Sequence, residues 1–345
     1  MNALIRQSIL NMTGYVPGEQ PKDGFIKLNT NENPYPPSPR VERVLATLAA
    51  GSLRLYPDPV CTTLREKIAA MHGCDASHVF VGNGSDEILA LCTRAFVEND
   101  GSIGYLNPSY TLYPVLADSR GVARKPITLG KHFEWTVPEG YTCSLFFLTS
   151  PHAPTGILFS KPFVKDFCRE FSGVVVIDEA YADFAAENSM DLALELDMVL
   201  VTRTLSKSYS LAGLRVGYAV GPVDFIETLF KIKDAYNLDA VSQELALAAL
   251  SDMDHMRENV EKIKATRERL SHALTDIGYT VYPSEANFIL VRPTGLHAKD
   301  LFERLKKKHI LVRYFPGERS DDCVRITVGT DAEIDKLIEA CRGVI

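Results

Sequence analysis

Short apolar runs, five or six residues long and separated by helix-compatible segments, constrain the fold of this chain most strongly. The runs are continuous rather than alternating, which is typical of strands buried on both faces, and such strands belong to mostly parallel sheets. Their order along the chain predicts an α/β doubly wound domain with right-handed crossovers. The runs lie at residues 102–106, 144–149, 174–178, 198–203 and 216–221, after a shorter one at 79–81.

The pattern changes after about residue 240. Residues 252–276 read as one long amphipathic helix that Ser251 or Asp252 could cap, and helices are also predicted at 298–308 and 331–342. Alternating stretches between them predict a smaller α+β unit with a half-exposed sheet. These stretches lie at residues 279–283, 287–293, 309–315 and 323–329.

The N-terminal residues 14–39 are rich in Pro, Gly and Asn, which predicts an extended arm that packs over another surface. Since this arm has no core of its own, we expect it to join the second unit. The predicted organisation is therefore an arm with part of the small domain (1–45), a large domain (46–245) and a small C-terminal domain (246–345).

Composition excludes several classes of protein. The formal net charge of −7 argues against a surface for nucleic acid or anionic membranes. The seven cysteines form no CxxC pair and favour reduced thiols in a cytoplasmic protein, and we expect no metal site. The N-terminus has no continuous apolar segment typical of a signal peptide, and no run approaches the length of a transmembrane helix.

Polar residues follow four of the predicted strands. Residues 82–86, 150–156, 178–181 and 202–207 each come directly after an apolar run, and Arg215 follows soon afterwards. Ligands of α/β sheets bind at the carboxyl ends of the strands. These segments therefore predict one shared site that holds a glycine turn, a carboxylate, a phenol, hydroxyls, a lysine and an arginine.

The glycine turn at residues 82–85 leads into a helix, and backbone N–H groups at a helix N-terminus bind anions such as phosphate. Thr204, Ser206 and Arg215 could complete a phosphate site. The alternative is an ordinary turn, because the segment lacks the spacing of nucleotide-binding loops.

Asp178 ends a strongly apolar run, where a carboxylate either caps the next segment or pairs with a buried cation such as a pyridinium nitrogen. Tyr181 would lie near the same ring and could donate to a phenolate oxygen. Lys207 lies in a segment of apolar and small residues. It is either an ordinary solvated lysine or a buried amine with a lowered pKa, able to form an imine.

Three segments in this order, SPHAPTG (150–156), VIDEAY (176–181) and TLSKSYSLAGLRVGYAVG (204–221), resemble the fold-type I aminotransferases of class I/II, which depend on pyridoxal 5′-phosphate (PLP). Within this family, the chain is most similar to the histidinol-phosphate aminotransferases. That similarity is carried by MTGYVPGEQP, KLNTNENPYPPSP, RLYPDP, GNGSDEI, NPSYTLYP and VRITVGT. The resemblance implies a large domain with a mostly parallel seven-stranded sheet, a smaller α+β domain and a homodimer.

The resemblance also implies roles for individual residues. Lys207 would bind the PLP aldehyde covalently, Asp178 would pair with the pyridine nitrogen, and Tyr181 would donate to the ring oxygen O3′. Tyr56 would reach the cofactor phosphate of the other subunit. Tyr110 would stack on the ring, and the 5′-phosphate side would be formed by Gly84, Ser85, Asp86, Thr204, Ser206 and Arg215.

On the substrate side, Arg325 would bind the carboxylate of glutamate, while Tyr15, Asn33 and Arg313 would surround the rest of the substrate. Each has a simpler alternative: both arginines as surface residues, and Tyr15, Tyr56 and Tyr110 as packing residues.

One position departs from the family pattern. The family usually has an Asn before PTG that donates to O3′, and this chain has Ala153. We expect the contact to be weaker by ~1–3 kcal/mol. His152 could replace the donor, although a loop histidine is more often a turn residue.

The resemblance implies transfer of the amino group between histidinol phosphate and 2-oxoglutarate, which gives imidazole acetol phosphate and glutamate in histidine biosynthesis. Three alternatives stay open. They are an aminotransferase for aromatic or other amino acids, a decarboxylase of the threonine-phosphate type, and a PLP-binding regulator without activity.

Overall fold

The computed structural model describes residues 4–21, 24–317 and 319–343. The strands are β1 Ile26–Lys27, β2 Val79–Asn83, β3 Ser102–Asn107, β4 Ala123–Thr128, β5 Leu145–Thr149, β6 Val174–Asp178, β7 Val199–Thr204, β8 Val216–Val220, β9 Thr280–Val281, β10 Phe288–Arg292, β11 Ile310–Leu311, β12 Arg313–Tyr314 and β13 Val324–Thr327. The α-helices are α1 Gln7–Asn11, α2 Pro39–Thr47, α3 Thr62–His72, α4 Gly84–Phe96, α5 Leu112–Arg120, α6 Lys161–Glu170, α7 Leu192–Glu195, α8 Val223–Ile232, α9 Ala240–Leu250, α10 Met253–Asp276, α11 Ala298–Lys307 and α12 Asp331–Arg342.

The large sheet has seven strands in the order β2-β8-β7-β6-β5-β3-β4. The pairs among β3 to β7 are parallel, which confirms the α/β fold with a mostly parallel sheet. β8 is antiparallel to both of its neighbours, a direction that the prediction of a mostly parallel sheet did not specify. The reason is local: no crossover helix of the βαβ type separates β7 from β8, and the chain simply turns back through residues 205–215.

The central strands are buried on both faces, as their continuous apolar sequences predict. In β5, Phe146 and Leu148 pack into one core, and Leu145 and Phe147 pack into the core on the opposite face. β4 was not predicted because its residues are polar and mostly exposed. It lies at the edge of the sheet, where Pro126 is tolerated.

The second sheet is antiparallel, with the order β12-β13-β10-β9. It packs against α10 and α11, and α12 joins the same core. The expectation that this sheet is half-exposed is wrong for its central strand β10, where Phe288 to Val291 are fully buried. Ile289 and Val291 join the core of the small unit, whereas Phe288 and Leu290 join the core of the large sheet. The alternating pattern therefore separates two buried faces rather than a core face and a solvent face.

The long helix predicted at 252–276 is α10, and α11 and α12 confirm the two shorter helices. Asp252 is the N-cap residue of α10, but its side chain caps no backbone N–H and instead accepts a hydrogen bond from Ser38. α12 begins with a reciprocal capping box between Thr330 and Glu333. The prediction is therefore right about the N-cap position of Asp252, but its carboxylate binds the arm rather than the first turn of the helix.

In the arm, residues 12–21 and 24–25 form no helix or strand, and β1 then pairs in parallel with β11 of the small unit. Leu28 is buried in the core of that unit. The exact domain boundaries stay a prediction.

Two further features of the chain bear on the exclusions made from composition. All seven cysteines are free thiols. Among the described helices, none combines the length and apolarity that a membrane crossing requires.

Candidate functional site

A cleft lies at the carboxyl ends of β2, β5, β6 and β7, and the arm and strands β12 and β13 cover it from the other side. The residues that follow these strands line one cleft, as the sequence predicts for strands whose carboxyl ends meet at one edge of a sheet. The cleft is lined by Tyr15, Gly18, Asn29, Thr30, Asn31, Glu32, Ser85, Asp86, Ser109, Tyr110, Thr111, Thr149, Ala153, Pro154, Asp178, Ala180, Tyr181, Thr204, Ser206, Lys207, Ala212, Arg215, Arg313, Phe315 and Arg325.

Lys207 lies in the connection between β7 and β8, and its side chain is largely enclosed by the cleft. Its Nζ donates to the carbonyl oxygen of Thr30 at 3.3 Å and lies 6.0 Å from the ring centre of Tyr181. Burial, together with the positive charge of Arg325, lowers the pKa of the Lys207 ammonium to about 8. About a tenth of this amine is therefore neutral at pH 7, far more than for an ordinary lysine, and a nucleophilic lysine requires the neutral form.

Asp178 ends β6, and only 3% of its surface is exposed. The Tyr113 hydroxyl donates to Asp178 Oδ2 at 3.0 Å and lies 2.6 Å from the hydroxyl oxygen of Thr149, while Thr202 Oγ1 lies 3.5 Å from Oδ1. Burial raises the pKa of the Asp178 carboxyl to about 6. A buried carboxylate that lines the cleft is suited to pair with a protonated nitrogen of a ligand, since an opposite charge favours its ionised form.

Tyr181 is buried three residues after Asp178, and its ring packs edge-on against Phe288 with the centroids 5.0 Å apart. Its hydroxyl accepts a hydrogen bond of 2.9 Å from Asn31 Nδ2. Burial raises the pKa of the Tyr181 phenol, so the group is a neutral hydrogen-bond donor at ordinary pH.

The polar groups expected to bind phosphate lie together at the N-terminus of α4. Thr204 Oγ1 donates to Ser206 Oγ at 2.9 Å, and Arg215 Nη1 donates to the same oxygen at 3.3 Å. Gly84 has a φ of +77°, and a Cβ there would come within 2.6 Å of the Arg215 guanidinium. Two hydroxyls, a guanidinium and the N-terminus of α4 therefore lie next to one another, and this combination of hydrogen-bond donors and positive charge is suited to bind an anion.

Asp86 binds two neighbours in this part of the cleft. It accepts a hydrogen bond from the Tyr110 hydroxyl at 3.1 Å and forms an ion pair with Arg215 at 3.1 Å. The Tyr110 ring packs edge-on against Tyr15 and Tyr113. Asp86 therefore orients an aromatic ring and a guanidinium.

Two arginines approach the cleft from the adjacent strands β12 and β13. Arg325 Nη2 donates to the carbonyl oxygen of Asn29 at 3.2 Å, and its buried Nε has no hydrogen-bond partner among the described residues. Arg313 donates to the carbonyl oxygens of Val16 and Pro17. Burial lowers the pKa of the Arg325 guanidinium, but the group remains a cation that an entering anion would satisfy.

Three residues considered in the sequence lie outside this cleft. Asn33 does not line it; its amide donates to the carbonyl oxygens of Lys207 and Ser208, each at 3.1 Å, so the geometry favours support of the lysine loop over contact with a substrate.

Tyr56 is 79% exposed and stacks on Tyr236. His152 is fully buried and bonds to Thr155 at 2.8 Å, as expected for a turn residue, and burial lowers its pKa to about 3.

Sequence reasoning missed Asn31 and Tyr113, which contact Tyr181 and Asp178 directly. Both lie in segments that were noted only for their resemblance or composition. No local pattern marks them, because their contacts depend on how the arm and α5 pack on the sheet. The roles predicted for the cleft residues remain predictions.

The sequence of this chain is similar to those of one known protein family. The family model for class I and II aminotransferases matches residues 23–341. Among similar proteins, a histidinol-phosphate aminotransferase of Geobacter sp. (strain M21) is 43% identical over 98% of this chain and 97% of its own length. The histidinol-phosphate aminotransferase of Synechocystis sp. is 45% identical over 97% of each chain.

Solved structures agree with the fold. The crystal structure of histidinol-phosphate aminotransferase from Sinorhizobium meliloti, in complex with pyridoxal 5′-phosphate, superposes with a TM-score of 0.84 at 25% identity. It covers 92% of this chain and 90% of that chain. An L-threonine-O-3-phosphate decarboxylase from Porphyromonas gingivalis has a TM-score of 0.81 at 21% identity over 92% and 98% of the two chains, which is a likeness of fold alone.

Proposed function

This chain belongs to the class I and II aminotransferases, and from that premise we propose that it is a PLP-dependent histidinol-phosphate transaminase. It would move the amino group between histidinol phosphate and 2-oxoglutarate, with imidazole acetol phosphate and glutamate as the products. The observation that carries the proposal is one cleft that combines Lys207, Asp178, an anion site and two arginines, in a chain 43–45% identical to such enzymes over nearly its whole length.

The residues of the cleft fit the cofactor. The anion site at Gly84, Thr204, Ser206 and Arg215 suits the 5′-phosphate, and the glycine keeps the guanidinium close to the helix end. At the other end, the buried carboxylate of Asp178 suits the pyridine nitrogen. Tyr110 offers an aromatic face, Tyr181 offers a donor, and Ser85 and Asp86 complete the side of the phosphate.

When bound, PLP supplies an aldehyde that exchanges amines and a ring that withdraws electrons from the substrate α-carbon. Lys207 would hold this aldehyde through its amine, whose lowered pKa makes it a base able to carry the proton at the substrate α-carbon. Asp178 would keep the ring nitrogen protonated.

The arginines account for the anionic substrates. We infer that Arg325 binds the carboxylate of glutamate, because its buried Nε has no partner among the described residues and its charge is already desolvated. Arg313 and Tyr15 lie at the outer end of the cleft, where the phosphate and ring of the larger substrate would extend.

A homodimer would complete the site. Leu45, Leu53, Leu55 and Tyr56 lie close together in sequence and are more than half exposed, and Tyr56 stacks on the exposed Tyr236. Such apolar exposure supports an interface with a second copy, through which Tyr56 would reach the partner's cofactor phosphate.

Seven free thiols support a reducing, cytoplasmic location.

A half-reaction screen tests the proposed activity. Purified protein loaded with PLP is mixed with single amines, and loss of its visible absorbance is followed. We expect histidinol phosphate and glutamate to bleach it and aromatic amino acids to act far more slowly. Bleaching by aromatic amino acids alone would favour the paralogous aminotransferase, and release of CO2 from threonine phosphate would favour the decarboxylase.

A further inference from the structure

Asn31, in the N-terminal arm, makes a buried contact with the predicted catalytic tyrosine. Only 1% of its surface is exposed, its backbone is left-handed with φ of 58°, and its Nδ2 donates to the Tyr181 hydroxyl oxygen at 2.9 Å. Asn is among the few residues other than Gly that adopt this conformation readily. The chain therefore places an amide donor at Tyr181 from outside the large sheet.

The orientation of the Asn31 side chain is fixed by the small unit. Thr327 Oγ1 donates to Asn31 Oδ1 at 3.1 Å and accepts the Asn31 backbone N–H at 3.0 Å. Asn287 Nδ2 donates to the Asn31 carbonyl oxygen at 2.9 Å. With Oδ1 bonded to the Thr327 hydroxyl, the amide nitrogen faces Tyr181.

This contact determines where the Tyr181 proton points. The phenolic oxygen accepts from Asn31, so its own O–H is left to donate into the cleft, and the accepted bond polarises that O–H and strengthens its donation. Ala153, which also lines the cleft, offers only a methyl group and no donor.

We propose that Asn31 is a positioning residue for the cofactor, acting through Tyr181, and that it supports the hydrogen bond to the ring oxygen where residue 153 cannot. The proposal rests on the proposed function. It makes the arm and the small unit part of the electrostatic environment of the cofactor, because the Asn31 amide is held by Thr327 and Asn287.

The test is a spectroscopic pH titration of the PLP-loaded protein, which needs no turnover. A donor at the ring oxygen disfavours protonation of the nearby Lys207 nitrogen, so losing it raises the pH midpoint of the visible absorbance change. We expect Asn31→Ala to raise the midpoint by about 0.5–1 pH unit and to weaken PLP binding about threefold to tenfold. The other ionisable groups facing Tyr181 are Lys207, Arg325, Asp178, Tyr15 and Tyr110, and they are unchanged in this variant.

A double-mutant cycle separates positioning from general structural support. If Asn31 acts through Tyr181, Asn31→Ala adds no further rise in a Tyr181→Phe background. Ala153→Asn, which restores a donor directly, should return the Asn31→Ala midpoint towards the wild-type value. Asn31→Asp keeps the shape and the left-handed backbone but presents an acceptor to Tyr181, so its midpoint must also rise.

Two results would overturn the proposal: wild-type midpoints in both Asn31 variants, or an equal rise when Asn31→Ala is made in the Tyr181→Phe protein. A wild-type protein that gains no visible absorbance with PLP would overturn the proposed function along with it, whereas a bound cofactor with an unmoved midpoint overturns this inference alone.

Discussion

The surroundings of Lys207, which is partly buried, and of Asp178, which is buried, both disfavour the charged form, with opposite chemical consequences. Burial lowers the pKa of the Lys207 ammonium to about 8, which makes the neutral, nucleophilic amine more available. Burial raises the pKa of the Asp178 carboxyl to about 6, so the ionised form is destabilised. The sequence indicated both positions, since a lysine among small residues and an acid at the end of an apolar run are unusual. It could not indicate Tyr113 or Asn31, whose contacts arise only from packing.

The pH dependence of cofactor loading tests the state of Lys207. Only a neutral amine attacks the PLP aldehyde, so the rate of loading should rise with pH and reach half its plateau near pH 8, the folded pKa. Arg325→Leu removes a nearby positive charge and should move this midpoint upwards. Stopped-flow absorbance of cofactor-free protein measures both rates, and a midpoint near the ordinary lysine value of about 10.4 would contradict the burial described here.

Replacing Asp178 should stabilise the cofactor-free protein while it removes activity. In the folded protein the pKa of the Asp178 carboxyl is about 6, above its ordinary value of 3.8. Above pH 6 the ionised carboxyl therefore lowers the free energy of unfolding, and this loss becomes smaller as the pH falls through 6. We expect Asp178→Asn to raise the free energy of unfolding by about 1–3 kcal/mol at pH 8 and by about half as much at pH 5. Urea unfolding at the two pH values measures this, and a less stable variant at pH 8 would count against the account.

At the scale of elements, the site depends on a close approach between β8 and the start of α4. A Cβ at Gly217 of β8 would lie 2.4 Å from the backbone nitrogen of Ser85, so only glycine fits without a shift. The sequence predicted both elements but neither the antiparallel direction of β8 nor this contact, because both depend on how the chain turns back through residues 205–215.

Gly217→Ala should therefore push the anion site apart. We expect a loss of about 1–3 kcal/mol in stability and a PLP affinity at least about tenfold weaker, since backbone rather than a flexible side chain must move. Gly213→Ala is the matched control, because nothing lies within 4 Å of its added Cβ. Thermal unfolding and equilibrium titration with PLP compare the two, and equal behaviour of both variants would refute the close-approach argument.

At the scale of the whole molecule, the two sheets and the small unit followed from periodicity, but the burial of the small sheet did not. Its alternating residues pack into two different cores, which a pattern of apolar and polar letters cannot distinguish from one core and solvent. The sequence predicts that the arm is extended, but not which strand it pairs with. β1 pairs with β11, and the paired residues Ile26 and Ile310 are 284 positions apart in the sequence.

Hybrid dimers test whether Tyr56 serves the partner's site. Mixing Lys207→Ala with Tyr56→Ala protein under conditions that exchange subunits should create one intact site in each hybrid. Activity should then recover to about a quarter of the wild-type value, because half of the dimers are hybrids with one working site each. No recovery despite demonstrated exchange would mean that Tyr56 acts within its own chain or not at all.

The central claim is that the Lys207 amine binds the cofactor, and covalent mapping tests it most directly. PLP-loaded protein is reduced with borohydride, which fixes a carbon–nitrogen double bond, and the modified peptide is located by mass spectrometry. The account predicts a single pyridoxyl group on Lys207 and none in Lys207→Ala protein. Modification of a different lysine, or of none, would contradict it.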